Sequence, residues 1–395
     1  MNAPQPALPA SVATAWWNNA AVRGVFYQVA VLAGAVGLGW YLVSNTLDNL
    51  ATRGIAAGFG FLSREAGFGI GESLLAYSPA DSYARAVTVG IVNTLIISVL
   101  GIVFATVLGT VIGIARLSSN WLIARLSTVY VEGVRNIPVL LQLFLWYSLI
   151  TEALPGPRQA LNPVPGIFLS NRGFKFPVPV WENAHGIAAA AFVVGCLAAV
   201  LIHRWAKRRQ DQTGQPFPSV WASMAAIVGI PVIAFLAAGA PTAMSVPELK
   251  GFNFVGGGLI SPEFAALWFG LTVYTASFIA EIVRSGIQAV SHGQTEAAQA
   301  LGLKRGYVLR LVVLPQAMRV IIPPLTSQYL NLTKNSSLAV AIGYPDLVSV
   351  ANTAINQTGQ AIEGIAIIMA AYLTVSLSIA AFMNWYNKKM ALVTR

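Results

Sequence analysis

QTEAAQALGLKRGYVLRLVVLPQAMRVIIPP, residues 294–324, is the longest polar and basic run held between two apolar segments in the C-terminal half of the chain. It opens with an Ala-rich stretch over 295–301 made of strong helix formers. Gly302 follows where a helix C-cap falls, and glycine takes the left-handed conformation there without steric cost. A second amphipathic piece over 304–313 runs into Leu314-Pro315. The spacing predicts two short helices with a sharp corner between membrane spans, which is a docking lever rather than a catalytic loop.

The rest of the composition agrees with that setting. Of the 395 residues, 56% are hydrophobic and 10% charged, with a mean hydropathy of +0.66. Soluble domains carry about 25% charged residues, so this is the composition of a polytopic membrane protein. The net charge of +10 is no nucleic-acid signature, because the basic residues sit in short loops between apolar runs, the positive-inside pattern. Cys196, the one cysteine, lies in an apolar run and excludes an internal disulfide, and three scattered histidines give no metal spacing. Behind a tail carrying Trp16-Trp17, Arg23 precedes an apolar segment long enough to cross a bilayer, which reads as an uncleaved first helix.

Eight spans can be drawn, at about 25–47, 88–114, 128–150, 186–202, 219–239, 264–284, 320–342 and 362–386. Pro323-Pro324 and the polar run 328–337 interrupt the seventh. With the N-terminus inside, fifteen of the 24 Lys and Arg residues fall in internal segments and seven in external ones, with Arg135 and Lys334 inside spans. The bias predicts that both termini and the 294–319 loop are cytoplasmic. The external stretch 48–87, with Gly54, Gly58, Phe59, Phe61 and Phe68, reads as lying in the outer interface or capping a pore entrance. Residues 154–183 are too proline-rich for a continuous helix and read as an extracytoplasmic loop.

Glu296-Ala297-Ala298, Gly302 and Leu314-Pro315 resemble the EAA loop of ABC-type importer permeases. The preceding AEIVRSGI (280–287) and the following KNSSL (334–338) resemble the polar amino-acid branch, the histidine/glutamine-type permeases. The family resemblance covers roughly 88–147 and 262–385, and the whole chain is similar to the larger of the two permeases of general L-amino-acid importers. The resemblance implies an all-α polytopic membrane protein of about eight transmembrane helices. Spans two, three, six, seven and eight would form a five-helix type I importer core, joined by an N-terminal helix and an inserted helix pair.

The domains that follow are a tail, first span and periplasmic segment (1–87), core helices (88–150), and a periplasmic loop with the inserted hairpin (151–261). After these come core with the EAA coupling loop at about 290–319 (262–386) and a cytoplasmic tail (387–395). The resemblance also implies partners: a second homologous permease, a homodimeric ABC ATPase, and a periplasmic amino-acid-binding protein, all at the bacterial inner membrane. No cofactor is expected in this chain. ATP and Mg belong on the ATPase, since the sequence has no GxxxxGK[ST] phosphate loop.

Charged groups inside spans are costly and usually functional. In span six, Tyr274, Ser277, Glu281 and Arg284 fall on one stripe, at offsets of 3, 7 and 10. Two readings of Glu281 stand: a partner for a substrate amino group on the pathway, or one half of a Glu281–Arg284 pair fixing the helix end. Span seven presents Gln328, Asn331 and Asn335 on one face, with Lys334 and Ser336 beside them. Irregular backbone at Pro323-Pro324 favours a pathway face, where Lys334 would attract a substrate carboxylate or pair with an acid on the partner permease. Span three opens with Glu132 and Arg135, spaced to pair as a gate or clamp, before Pro138 and Gln142. In span two, Asn93, Thr94 and Ser98 are outer-half candidates, and Gly109 and Gly113 form a GxxxG packing face.

The reading that follows is a permease subunit of an ATP-driven, binding-protein-dependent importer, coupled through Glu296, Ala297, Ala298, Gly302, Leu314 and Pro315. The alternative is an ion-gradient-driven secondary transporter, a class that usually shows inverted repeats and midplane ion-binding carboxylates. No internal repeat is evident here, and a five-helix core is too small to enclose a pathway alone. A membrane enzyme lacks any assembled nucleophile or metal set.

Overall fold

The computed structural model describes residues 20–390 apart from 53, 55 and 56, so Trp16, Trp17, Arg53 and Arg395 lie outside the described residues. Among the described residues the helices are α1 (Ala20–Thr52), α2 (Tyr83–Ala115), α3 (Trp121–Asn136), α4 (Val139–Ala153), α5 (Asn183–Thr213) and α6 (Ser219–Ala237). They continue with α7 (Pro262–Gln288), α8 (His292–Ala300), α9 (Arg305–Val308), α10 (Leu314–Asn335), α11 (Leu347–Thr358) and α12 (Ala361–Met390). Seven helical stretches are long and apolar enough to cross a membrane, or eight if α3 and α4 form one bent span. The described residues form two compact units, those up to 92 with 347–375 and those over 93–346 with 376–390.

In the first unit, α1 presents its apolar side chains outward along its span, as contact with lipid demands. The stretch between α1 and α2 packs around Phe61, Ala66 and Tyr83, which are buried with Val350 and Ala354 of α11. Phe68 packs on Tyr77 and Tyr83, and Tyr83 Oη donates to Gln357 Oε1 at 2.8 Å. Gly58 N–H donates to Glu363 Oε1 at 2.5 Å, fixing the loop to the first turn of α12.

In the second unit, α7 is the most enclosed span, with 61% of its apolar window buried. Lipid gives no hydrophobic drive for helices to associate, so close approach and dispersion must hold them. The GxxxG face of α2 supplies that approach. A Cβ added at Gly109 would lie 2.8 Å from the Ala276 carbonyl, and one at Gly113 would lie 2.6 Å from that of Ala280. Around this seam Ile279 and Val283 pack with Ala317, Ile321 and Leu325 of α10 and Met383 of α12. Nearer the other end of α7, Leu267 and Leu271 pack with Ile97 of α2 and Leu143 of α4.

The single span read at 128–150 is two helices, α3 and α4, bent by 105°. Pro138 offers no backbone donor at the break. The buried amide of Gln142 donates to the carbonyls of Val134 and Ile137, both at 2.9 Å, satisfying groups that the end of α3 leaves open. Pro323-Pro324 does not break its helix: backbone runs helically from Arg305 to Ile342, with a π-helical turn at Leu309–Val313 just before Pro315.

The segments flanking the α5–α6 hairpin hold strands that their proline content hid. A four-stranded antiparallel sheet forms from β1 (Leu161–Val164), β2 (Ile167–Ser170), β3 (Gly173–Phe176) and β8 (Gly258–Ile260). Two ribbons add β4 (Val178–Pro179) with β5 (Met244–Ser245), and β6 (Glu248–Lys250) with β7 (Asn253–Val255). Helices α5 and α6 meet where a Cβ at Gly195 would lie 2.7 Å from the Ala226 carbonyl, and large apolar side chains including Val193, Leu197, Leu201, Val220, Val228 and Ile233 face outward.

Candidate functional site

Two places collect the residues singled out in the sequence. The first is the corner between α8 and α9. Gly302 has φ +77°, Gly302 N–H donates to Gln299 O at 2.8 Å, and Leu303 N–H to Ala298 O at 3.3 Å. This is a Schellman closure, and it needs a left-handed residue at this position. Ala298 is buried, while Glu296 and Ala297 stay exposed. Beyond them Leu301 is 83% exposed, and Tyr307, Leu309, Leu311 and Leu314 also face outward. Pro315 is half-buried in the first turn of α10. The corner therefore offers an apolar patch beside an exposed carboxylate on a rigid turn.

The second place is a cleft between α7 and α10. Tyr274, Thr275, Phe278, Gln328, Asn331 and Asn335 line a cavity of about 230 Å³. A neighbouring cavity of about 300 Å³ shares Phe278 and Gln328 and adds Arg135, Glu281, Ser285 and Ser327. Arg135 stands at the end of α3, its guanidinium carbon 4.9 Å from the centre of the Phe278 ring. Tyr130 Oη donates to Val273 O at 2.7 Å and holds α3 against α7 there.

The stripes drawn from helical spacing divide. Ser277 is fully buried and donates back to Tyr274 O at 2.6 Å, and Ser336 is fully buried and donates to Thr333 O at 2.7 Å. Neither lines the cleft. Lys334 is exposed and lines neither cavity. Asn93 is buried and donates to Pro345 O at 2.9 Å, which ties α2 to the turn after α10.

Glu281 is held on two sides. Arg284 Nε reaches Oε2 at 3.2 Å and Nη2 reaches Oε1 at 2.5 Å, while Arg116 Nη1 also bonds Oε2. Both carboxylate oxygens are thus engaged, which favours the helix-fixing reading over an ammonium partner. Sequence spacing gave Arg284 but not Arg116, 165 positions away. The usable signal was depth, since spans two and six were drawn to end at 114 and 284, on the same side. The Glu132–Arg135 pair expected from spacing does not form: Glu132 is exposed, and among the described residues neither makes an ion pair. Arg135 turns to the Phe278 ring of α7 instead. Among the described residues no three His, Cys, Asp or Glu side chains gather as a metal site.

Helices long enough and apolar enough to cross a membrane, a polar cleft between α7 and α10 and an exposed corner at Gly302 are the features on which the comparisons with known proteins bear. The sequence matches the family described as binding-protein-dependent transport system inner membrane component over residues 191–392, and the chain belongs to that family. It is 52% identical over 94% of its length, and 93% of the relative's, to the general L-amino acid transport system permease protein AapQ of Rhizobium johnstonii. It is 51% identical to the putative amino-acid ABC transporter permease protein YhdX of Escherichia coli, covering 95% of this chain and 96% of that one. A third relative, 41% identical over 94% of this chain and 95% of its own, is the glutamate/glutamine/aspartate/asparagine transport system permease protein BztB of Rhodobacter capsulatus. None of these findings supports the ion-gradient alternative.

Proposed function

We propose that this chain is one of two homologous permeases of an ATP-driven importer of L-amino acids in the bacterial inner membrane. The amino-acid cargo is supported by what the three relatives are named to carry. A periplasmic amino-acid-binding protein delivers the substrate, and a homodimeric ATPase, holding ATP and Mg, drives the cycle from the cytoplasm. Both termini are cytoplasmic in this reading, on the strength of the basic-residue bias. Residues 88–150 and 262–386 supply the core, 151–261 the periplasmic and inserted segments, 1–87 and 387–395 the flanks, and the α7–α10 cleft half of the pathway.

The observation that carries the coupling role is the left-handed corner at Gly302 with Leu301 and Glu296 exposed on it. A lever transmits force only if its corner is stiff, and a carboxylate beside apolar side chains suits a mixed protein surface. Gly302→Asp strains that corner and adds a charge. It is expected to leave membrane insertion intact and to abolish co-purification of the ATPase. Normal recovery of the ATPase with that variant would count against the lever, and ATP-independent uptake by the chain alone in liposomes would sink the importer reading.

A further inference from the structure

We infer that Arg135 receives the carboxylate end of the transported solute, so that the cleft recognises an α-carboxylate rather than a side chain. This rests on the importer reading and deepens it at the same cleft. The starting point is charge. The oxygens of Glu281 are taken by Arg116 and Arg284, and Arg135 lines the same cavity as that carboxylate without bonding to it. Glu132, one turn before Arg135, does not pair with it. Among the described residues Arg135 is therefore a cavity-lining cation without an ion-pair partner. The side chain is exposed, so an anionic visitor can reach it, and in a membrane segment such a visitor compensates a charge that otherwise relies on water.

The geometry suits a carboxylate. The Arg135 guanidinium carbon lies over the Phe278 ring, 4.9 Å from its centre, a cation–π contact that uses none of the five N–H donors of the guanidinium fork. That fork matches two carboxylate oxygens. The backbone break at Ile137 and Pro138, braced by Gln142, fixes the end of α3 that carries the side chain. Past Phe278 and Gln328 the adjoining cavity offers only neutral groups, the amides of Gln328, Asn331 and Asn335 and the Tyr274 hydroxyl. Amides both donate and accept, so they accommodate an ammonium and varied side chains without choosing strongly among them. A charged anchor with a neutral remainder gives broad selectivity with one shared requirement.

The test uses the full complex in proteoliposomes, with binding protein outside and ATP inside, and Arg135→Gln, Arg135→Lys and Glu132→Gln variants of this chain. ATP-dependent uptake by the wild type establishes the importer reading first and separately. Losing a charge-assisted, bidentate contact of ~1.5–3 kcal/mol corresponds to about tenfold or more. Arg135→Gln is expected to lower uptake of acidic and neutral L-amino acids alike by at least about tenfold. Arg135→Lys is expected to fall between, Glu132→Gln to match the wild type, and all partner subunits to co-purify with each variant. Uptake by Arg135→Gln within about twofold of wild type, ~0.4 kcal/mol, overturns the inference. So does loss of the second permease from Arg135→Gln with recovery in Arg135→Lys, which would assign the arginine to an acid on that partner.

Discussion

Gly302 and Glu281 were both legible in the sequence, for different reasons. The glycine announced itself through local chain chemistry, because a helix closing on a left-handed residue needs only its own neighbours. The Glu281–Arg284 half of the cluster is likewise one turn of one helix. Arg116 is a tertiary addition, and it changes the reading of the glutamate. Glu281→Gln should leave Arg116 and Arg284 uncompensated and destabilise the subunit by about 1–3 kcal/mol, below the ~3–5 of a fully buried pair. The expected result is a lower thermal midpoint of the purified complex with its relative uptake of acidic and neutral amino acids unchanged. A shift in that preference would return Glu281 to the ligand. The divided stripes give a second expectation. Ser277→Ala and Ser336→Ala, whose hydroxyls bond back to their own helices, should keep uptake within about twofold, ~0.4 kcal/mol. Gln328→Ala and Asn331→Ala, which open onto the cleft, should each lower uptake further than either serine change.

Helix contacts are set by glycines whose faces the sequence suggested and by a break it did not. Gly113→Val places atoms within reach of the Ala280 carbonyl, where even a Cβ would lie at 2.6 Å. Overpacking of this kind costs about 1–3 kcal/mol, and lower yield and earlier heat-induced aggregation should report it. Gly133→Ala on α3, where an added Cβ meets nothing within 4 Å, should be neutral or stabilising by about 0.5–1 kcal/mol. Gln142→Leu leaves the Val134 and Ile137 carbonyls without their donor and should cost about 1–3 kcal/mol in a buried site. Equal thermal midpoints for Gly113→Val and Gly133→Ala would refute the close α2–α7 seam. The proline at 138 sits at a bend, whereas Pro323 and Pro324 lie within an intact helix. Proline chemistry is the same at all three positions, so the neighbouring packing and replacement donors decide which becomes a break.

At the scale of the whole chain, orientation rests on charge, and it can be read directly. Cys196→Ala removes the one cysteine. On that background Gln159→Cys, beside the four-stranded sheet, and Thr213→Cys, at the end of α5, probe the two ends of the inserted segment. A membrane-impermeant maleimide added to spheroplasts should label position 159 and spare position 213 until the membrane is permeabilised. The reverse pattern would turn the molecule over and move the Gly302 corner away from the cytoplasm.

Hydropathy and the ordered EAA motif determined from sequence that this is a polytopic permease with a sharp helical corner at Gly302. Those signals are sums over a bilayer-length segment or patterns within a few turns, so they survive without knowledge of neighbours. Tertiary structure alone decided that β3 pairs β8 across the intervening hairpin, and that Phe61, Ala66, Tyr83 and Ala86 are buried against α11. It also decided that Arg116 completes the Glu281 cluster and that Arg135 faces Phe278 rather than Glu132. Each depends on groups far apart in the chain meeting in the fold, and a charge or a three-residue strand carries no local mark of the partner it will find.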